Sequence, residues 1–256
     1  MMALKKSLGQ HFLMHARIAE RIAKVARLER GEQTLEIGPG GGMLTRALLD
    51  GGARVVAVET DREWYEKLRE EFANKIAAGK FELIAGDIRA FDPNSIEGEY
   101  SIVANIPYYL TGEIFRKFLG AKRQPRTMTL LVQKEVAERV ARAKKESLLS
   151  LSVKAFGTPA YEFTVPRGAF LPAPKVDSAV ISIRDISRKN FASPEEEARF
   201  FSCIRAGFAH KRKKLAGNLA GLVAPAALAA LGLAPGARAE ELPLAAWLAL
   251  ARAPQD

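Results

Sequence analysis

Thr34-Leu35-Glu36-Ile37-Gly38-Pro39-Gly40-Gly41-Gly42 is the stretch that decides the fold. Thr34 to Ile37 reads as a short buried strand, and Leu44 to Leu49 repeats apolar residues at helical spacing. The glycines between them let the backbone approach a ligand closely, and a helix N-terminus there favours negative groups. Strand, glycine turn and helix together predict the first half of a βαβ unit.

Outward from that turn the alternation continues. Strands are predicted at Arg54–Val58, Phe81–Ile84, Ser101–Ala104, Thr127–Val132 and Val176–Ile183. Helices are predicted at Ala16–Leu28, Glu63–Lys75, Leu110–Leu119 and Lys134–Ala143. This pace implies an α/β fold with a parallel sheet covered on both faces. After the polar stretch Arg184 to Pro194 only helical patterns remain. The expected domains are 1–187 and 188–256, the second too small for a large core of its own and expected to dock on the first.

Composition narrows the function. Of 256 residues 48% are hydrophobic, so a packed core is expected. The net charge of +10 points to a polyanionic partner, nucleic acid or a membrane surface. One cysteine, Cys203, excludes an internal disulfide framework, and His11, His15 and His210 are too scattered for a metal cluster. No apolar run reaches the length of a membrane span, and nothing resembles a signal peptide, so a cytoplasmic protein is expected.

A dinucleotide fingerprint would need a third glycine where Met43 stands. The spacing acidic-x-G-x-G-x-G, from Glu36 through Gly38, Gly40 and Gly42, instead resembles the cofactor loop of S-adenosylmethionine-dependent methyltransferases. That cofactor has no pyrophosphate. It has an amino-acid end whose ammonium prefers a nearby acid such as Glu36. Glu59, followed by Thr60, ends the second strand, where an acid can accept from both ribose hydroxyls. Asp87 and Ile88 follow the third strand, where a carboxylate can accept from the adenine amine and an apolar side chain can pack on the ring. Any one of these acids could be a helix cap or a solvated turn. Acids after three successive strands form a pattern.

Asn105-Ile106-Pro107-Tyr108 follows the fourth strand, at the carboxyl edge where open α/β sheets bind ligands. The amine of adenine is a poor nucleophile because its lone pair is shared with the ring. An acceptor from Asn105 and a backbone carbonyl beside Pro107 can hold its two protons, which favours a pyramidal nitrogen. Tyr108 can stack on the base. Positioning then supplies most of the catalysis, with no metal or covalent nucleophile.

With these motifs the chain resembles the ribosomal RNA adenine dimethyltransferase family. Ser7 to Leu13 is similar to its cofactor-covering N-terminal segment, from which Gln10, His11 and Leu13 are expected to reach the cofactor. Leu131 to Ala137, Phe170 to Ser178, Phe208 to Leu219 and Arg238 to Leu242 are similar to further family segments. The family usually has asparagine at His11 and an acid near His15. The resemblance implies a Rossmann-like S-adenosylmethionine-dependent methyltransferase domain with a small α-helical C-terminal domain that binds RNA. It implies S-adenosylhomocysteine as product and two adjacent adenosines of small-subunit ribosomal RNA as substrate. It also implies a monomer acting on the small ribosomal subunit, without a membrane. Phe170 is a candidate second wall for the flipped base, and equally a core aromatic. Arg205, Lys211, Arg212 and Lys214, placed in a helical stretch, are candidate phosphate contacts. Two rivals remain: a large-subunit adenine methyltransferase of the macrolide-resistance type, and a non-catalytic RNA-binding assembly factor on the same fold.

Overall fold

A computed structural model describes residues 11–210, 212–234 and 236–253. The chain runs β1 (Phe12–Leu13), α1 (Ala16–Ala26), β2 (Gln33–Ile37), α2 (Met43–Asp50), β3 (Arg54–Glu59), α3 (Arg62–Glu71), α4 (Ala73–Ala77) and β4 (Phe81–Ala85). It continues with β5 (Tyr100–Asn105), a 3-10 turn at Tyr108–Leu110, α5 (Thr111–Leu119), β6 (Met128–Gln133), α6 (Lys134–Ala141) and α7 (Leu148–Lys154). Then come β7 (Thr158–Val165), β8 (Phe170–Leu171), β9 (Ser178–Arg184), α8 (Pro194–Gly207), α9 (Leu215–Asn218), α10 (Pro225–Ala230) and α11 (Leu244–Arg252).

Seven strands form one sheet in the order β4-β3-β2-β5-β6-β9-β7, with β1 and β8 paired separately. The five strands from β4 to β6 are parallel, and β9 lies antiparallel on β6. The sheet is therefore mixed, where the alternation alone implied a parallel one. From β2 the chain builds outward through β3 to β4, then returns to place β5 on the other side of β2. That reversal opens a crevice at the carboxyl ends of β2 and β5, where such sheets bind ligands. Near-continuous apolar strands bury both faces: every residue of β3 after Arg54 is buried.

The chain forms two compact units. One comprises the chain up to Ala137 together with Pro159–Ile186, and the other Glu138–Thr158 together with the chain from Ser187. The segment 138–158 thus departs from the boundary expected at 187/188. Its reason is packing: Leu151 of α7 and Ala155 just after it belong to the buried cluster of Phe200, Cys203, Ile204, Leu219 and Trp247. The helical unit has a core of its own, built partly from this earlier piece. Among the described residues no helix is long and apolar enough to cross a membrane.

Candidate functional site

The first unit holds a cavity of about 120 Å³ at the carboxyl edge of the sheet. It gathers Glu36 and Gly38 to Gly41 at the end of β2 and beyond, Glu59 and Thr60 at the end of β3, Asp87 to Arg89 after β4, and Asn105 to Leu110 from the last residue of β5 onward. His11, Phe12 and Leu13 close one side. Four separate stretches of sequence therefore meet because four adjacent parallel strands end at one edge. Of the expected cofactor residues Gln10 lies outside the described residues. The others, His11, Leu13, Glu36, Gly38, Gly40, Glu59, Thr60, Asp87, Ile88 and Asn105, all line this cavity.

The glycine loop is held open from below. Gly40 has φ +54°, and a Cβ there would sit 2.8 Å from the Phe12 ring. Only glycine satisfies both demands. The Phe12 ring in turn packs on Trp64, with centroids 4.8 Å apart. Glu59 fastens the loop: its Oε2 accepts from Gly40 N at 3.0 Å and its Oε1 from Asp61 N at 2.8 Å. Each oxygen keeps a second lone pair, the pair of acceptors that two ribose hydroxyls need.

The acids differ in their surroundings. Glu36 is fully buried, and burial pushes its carboxyl up to about 8 against the opposing hydrogen bond from Thr45 Oγ1 at 2.7 Å, with the charge of Glu59 adding to the rise. Glu59 is raised too, first by burial. Two buried carboxyls, both raised by burial, form a place where a cationic ligand would favour their ionised forms. Asp87 is the opposite case. The Arg89 side chain grips it through Nε at 2.9 Å and Nη2 at 2.5 Å and holds it below its ordinary value.

At the end of β5 the Asn105 amide is fixed. Its Nδ2 donates to the main-chain carbonyl of His11 at 3.0 Å, which commits the donor half and leaves Oδ1 as the acceptor. His11 is itself anchored by a 2.7 Å contact between Nδ1 and the Pro172 carbonyl. Tyr108 is half-buried, its hydroxyl 2.7 Å from Ser178 Oγ and its ring 5.5 Å from the His11 ring. Burial raises its phenol, so it stays neutral. The arrangement can hold an amine by an acceptor and stack an aromatic base beside it.

Two expectations are corrected. Phe170 does not line the cavity: it is 4% exposed and packs in the core with Leu13, Val165 and Ala169. In the pairing of β1 with β8 it faces inward, and Leu171 is the exposed residue. The described residues of the basic run after Phe208 are not helical. Helix α8 ends at Gly207 and α9 begins at Leu215. Asn218 Nδ2 donates to the Gly207 and His210 carbonyls and so caps that end. Arg212 and Lys214 are exposed in the turn between, Arg205 is exposed in the last turn of α8, and Lys211 lies outside the described residues. Residues not singled out from sequence but placed at the site are Phe12, Arg89 and Tyr109 in the lining, with Thr45 and Ser178 behind it.

A glycine loop, three acids on successive strand ends and an Asn-Ile-Pro-Tyr turn on a mixed sheet define a Rossmann-like methyltransferase that uses S-adenosylmethionine. The comparisons place it more narrowly. The profile of the family described as ribosomal RNA adenine dimethylase matches residues 1–256, and the chain belongs to that family. It is 40% identical over 253 residues to the ribosomal RNA small subunit methyltransferase A of Dehalococcoides mccartyi, covering 95% of this chain and 86% of that one. It is 40% identical to the protein of the same name from Thermosynechococcus vestitus, covering 98% and 96%. Among solved structures it is similar to the 23S rRNA methyltransferase ErmE, with TM-score 0.76, 28% identity and coverage of 94% and 98%. A dimethyladenosine transferase from Plasmodium falciparum shares the fold at TM-score 0.79 and 23% identity, covering 94% and 96%.

Proposed function

We propose that this enzyme dimethylates the N6 amines of two adjacent adenosines in small-subunit ribosomal RNA, as a cytoplasmic monomer acting on the ribosomal subunit. The observation that carries the chemistry is the fixed Asn105 amide, whose acceptor is left for a substrate amine in the cavity that holds the three acids. The small subunit is favoured by the relatives of that name, which match nearly the whole chain.

Glu59 accepts the ribose hydroxyls, Asp87 accepts the adenine amine of the cofactor, and Ile88 packs on its ring. Glu36 faces the ammonium end, beneath the turn of Gly38 and Gly40. His11 and Leu13 cover this end of the cavity, and Thr60, whose hydroxyl donates to the Gly86 carbonyl, steadies the loop beside it. When bound, S-adenosylmethionine supplies an electrophilic methyl and leaves as S-adenosylhomocysteine. On the substrate side, Asn105 Oδ1 accepts one N–H of the target amine and the Ile106 carbonyl, beside Pro107, accepts the other. Those two acceptors draw the nitrogen lone pair out of the ring as positive charge builds on it, and the proton that each new N–C bond displaces leaves to solvent. Tyr108 stacks on the flipped base, worth about 1–3 kcal/mol. In the helical unit, 187–256 with the 138–158 segment, Arg205, Lys211, Arg212 and Lys214 follow the phosphate backbone.

The test is methyl transfer to purified ribosomal subunits that lack the modification, followed by nucleoside analysis. Label in the small subunit as N6,N6-dimethyladenosine is expected. Label confined to the large subunit would assign the macrolide-resistance type instead. Binding without transfer would make the chain an assembly factor.

A further inference from the structure

Tyr109 is an aromatic side chain that the fold does not bury. It is 62% exposed, whereas Leu110 on one side is 6% exposed and Tyr108 on the other is tied to Ser178. The backbone beneath it is well fastened. Leu110 N donates to the Pro107 carbonyl at 2.9 Å, and Thr111 Oγ1 donates to the Tyr108 carbonyl at 3.0 Å. In a 3-10 turn successive side chains point about 120° apart. Tyr108 can therefore face the target base while Tyr109 is aimed elsewhere on the same rim. Tyr109 still lines the same cavity as Asn105.

Its neighbours include two cationic side chains, with Asp87 paired to Arg89 and Glu113 within reach of it. Arg89 lines that cavity too, lies within electrostatic reach of Tyr109, and is oriented by Asp87. Lys117 Nζ donates to the Arg89 carbonyl at 2.8 Å and brings a second positive charge to the rim. A ring on a rigid turn beside two cations suits a base with its phosphate, since stacking and charge together are how single-stranded nucleic acid is held.

We propose that Tyr109, with Arg89 and Lys117 beside it, is a second stacking platform that holds the nucleotide next to the target adenosine. This rests on the RNA reading above and adds a positioning residue to it. Extruding one base unstacks its neighbour as well, and a surface that receives the neighbour keeps the strand in register. Its contact is the same in the bound ground state and in the transition state, so it acts on KM rather than on kcat.

Two measurements on the ribosomal subunit that the wild-type enzyme methylates test it. Tyr109→Ala is expected to raise KM for that subunit by roughly tenfold to hundredfold, with kcat and cofactor Kd within about twofold of wild type. Tyr109→Phe keeps the ring and is expected to keep the wild-type KM. A photo-crosslinking p-benzoylphenylalanine at Tyr109 is expected to join the RNA at the nucleotide adjacent to the methylated adenosine, mapped by primer extension. An unchanged KM in Tyr109→Ala, or a crosslink more than two nucleotides from the methylated base, overturns the proposal. Methylation of the large subunit would sink the small-subunit reading alone, because both measurements then run on the large subunit. Methylation of neither subunit would overturn both.

Discussion

Glu36→Gln should change how the free protein's stability depends on pH. In the folded chain Glu36 keeps its proton up to about 8, because it is fully buried, whereas its ordinary value is 4.5. Below pH 4.5 both states hold the proton, so folding is unopposed by this group. As pH rises toward 8 the unfolded chain releases the proton and the folded chain does not, so stability falls by about 1.4 kcal/mol per pH unit. Glutamine has nearly the shape of the protonated acid and can accept from Thr45 Oγ1 in the same way, but it has no proton to lose. Between pH 5 and pH 7 the variant should therefore gain about 2–3 kcal/mol on wild type. Chemical denaturation at a series of pH values, without cofactor, measures this directly. Parallel curves for the two proteins from pH 5 to pH 8 would show that Glu36 is ionised in the free fold, and a protonated, buried Glu36 would be refuted.

Other substitutions separate the two halves of the reading. Glu59→Ala removes both proposed ribose acceptors and the tie to Gly40, and should weaken S-adenosylmethionine binding by about 2–4 kcal/mol, read by calorimetry. Unchanged affinity in a folded variant would remove Glu59 from the site. Neutralising Lys211, Arg212 and Lys214 together should leave cofactor affinity alone and flatten the salt dependence of RNA binding by roughly 0.7–0.9 log units per lost phosphate contact. An unchanged slope would make the run an ordinary solvated turn.

The fold class and the place where the candidate site gathers were both legible in the sequence. Glu36 and Glu59 close apolar strands and Asp87 follows one, and adjacent parallel strands bring their ends together, so linear order predicts proximity. What the sequence hid depends on packing across the chain. Phe12 matters because its ring sits where a Gly40 Cβ would be, a contact that leaves no pattern. Phe170 and Leu171 lie on opposite faces of a two-residue strand, and only pairing with β1 decides which is buried. Strand β7 carries the alternation Tyr161, Phe163, Val165, but Pro159 near its start reads as a break. Lysine and arginine favour helix, so the basic run read as helical. Asn218, eleven residues beyond Gly207, ends the helix before it.

The most direct test of the mechanism is the single-turnover methylation rate of Asn105→Ala at saturating RNA and cofactor. Asn105 Nδ2 is held by the His11 carbonyl, and in the proposed mechanism its free acceptor meets the target amine in a bond that strengthens as the nitrogen becomes pyramidal and positive. Loss of one preorganised group of this kind costs about 10²–10³ in rate while leaving cofactor and RNA affinity nearly unchanged. Tyr108→Ala, which also loses ground-state stacking, should lose both affinity and rate. An Asn105→Ala enzyme is expected to bind both ligands and to turn over at least about a hundredfold more slowly than wild type. A single-turnover rate near that of wild type would contradict it.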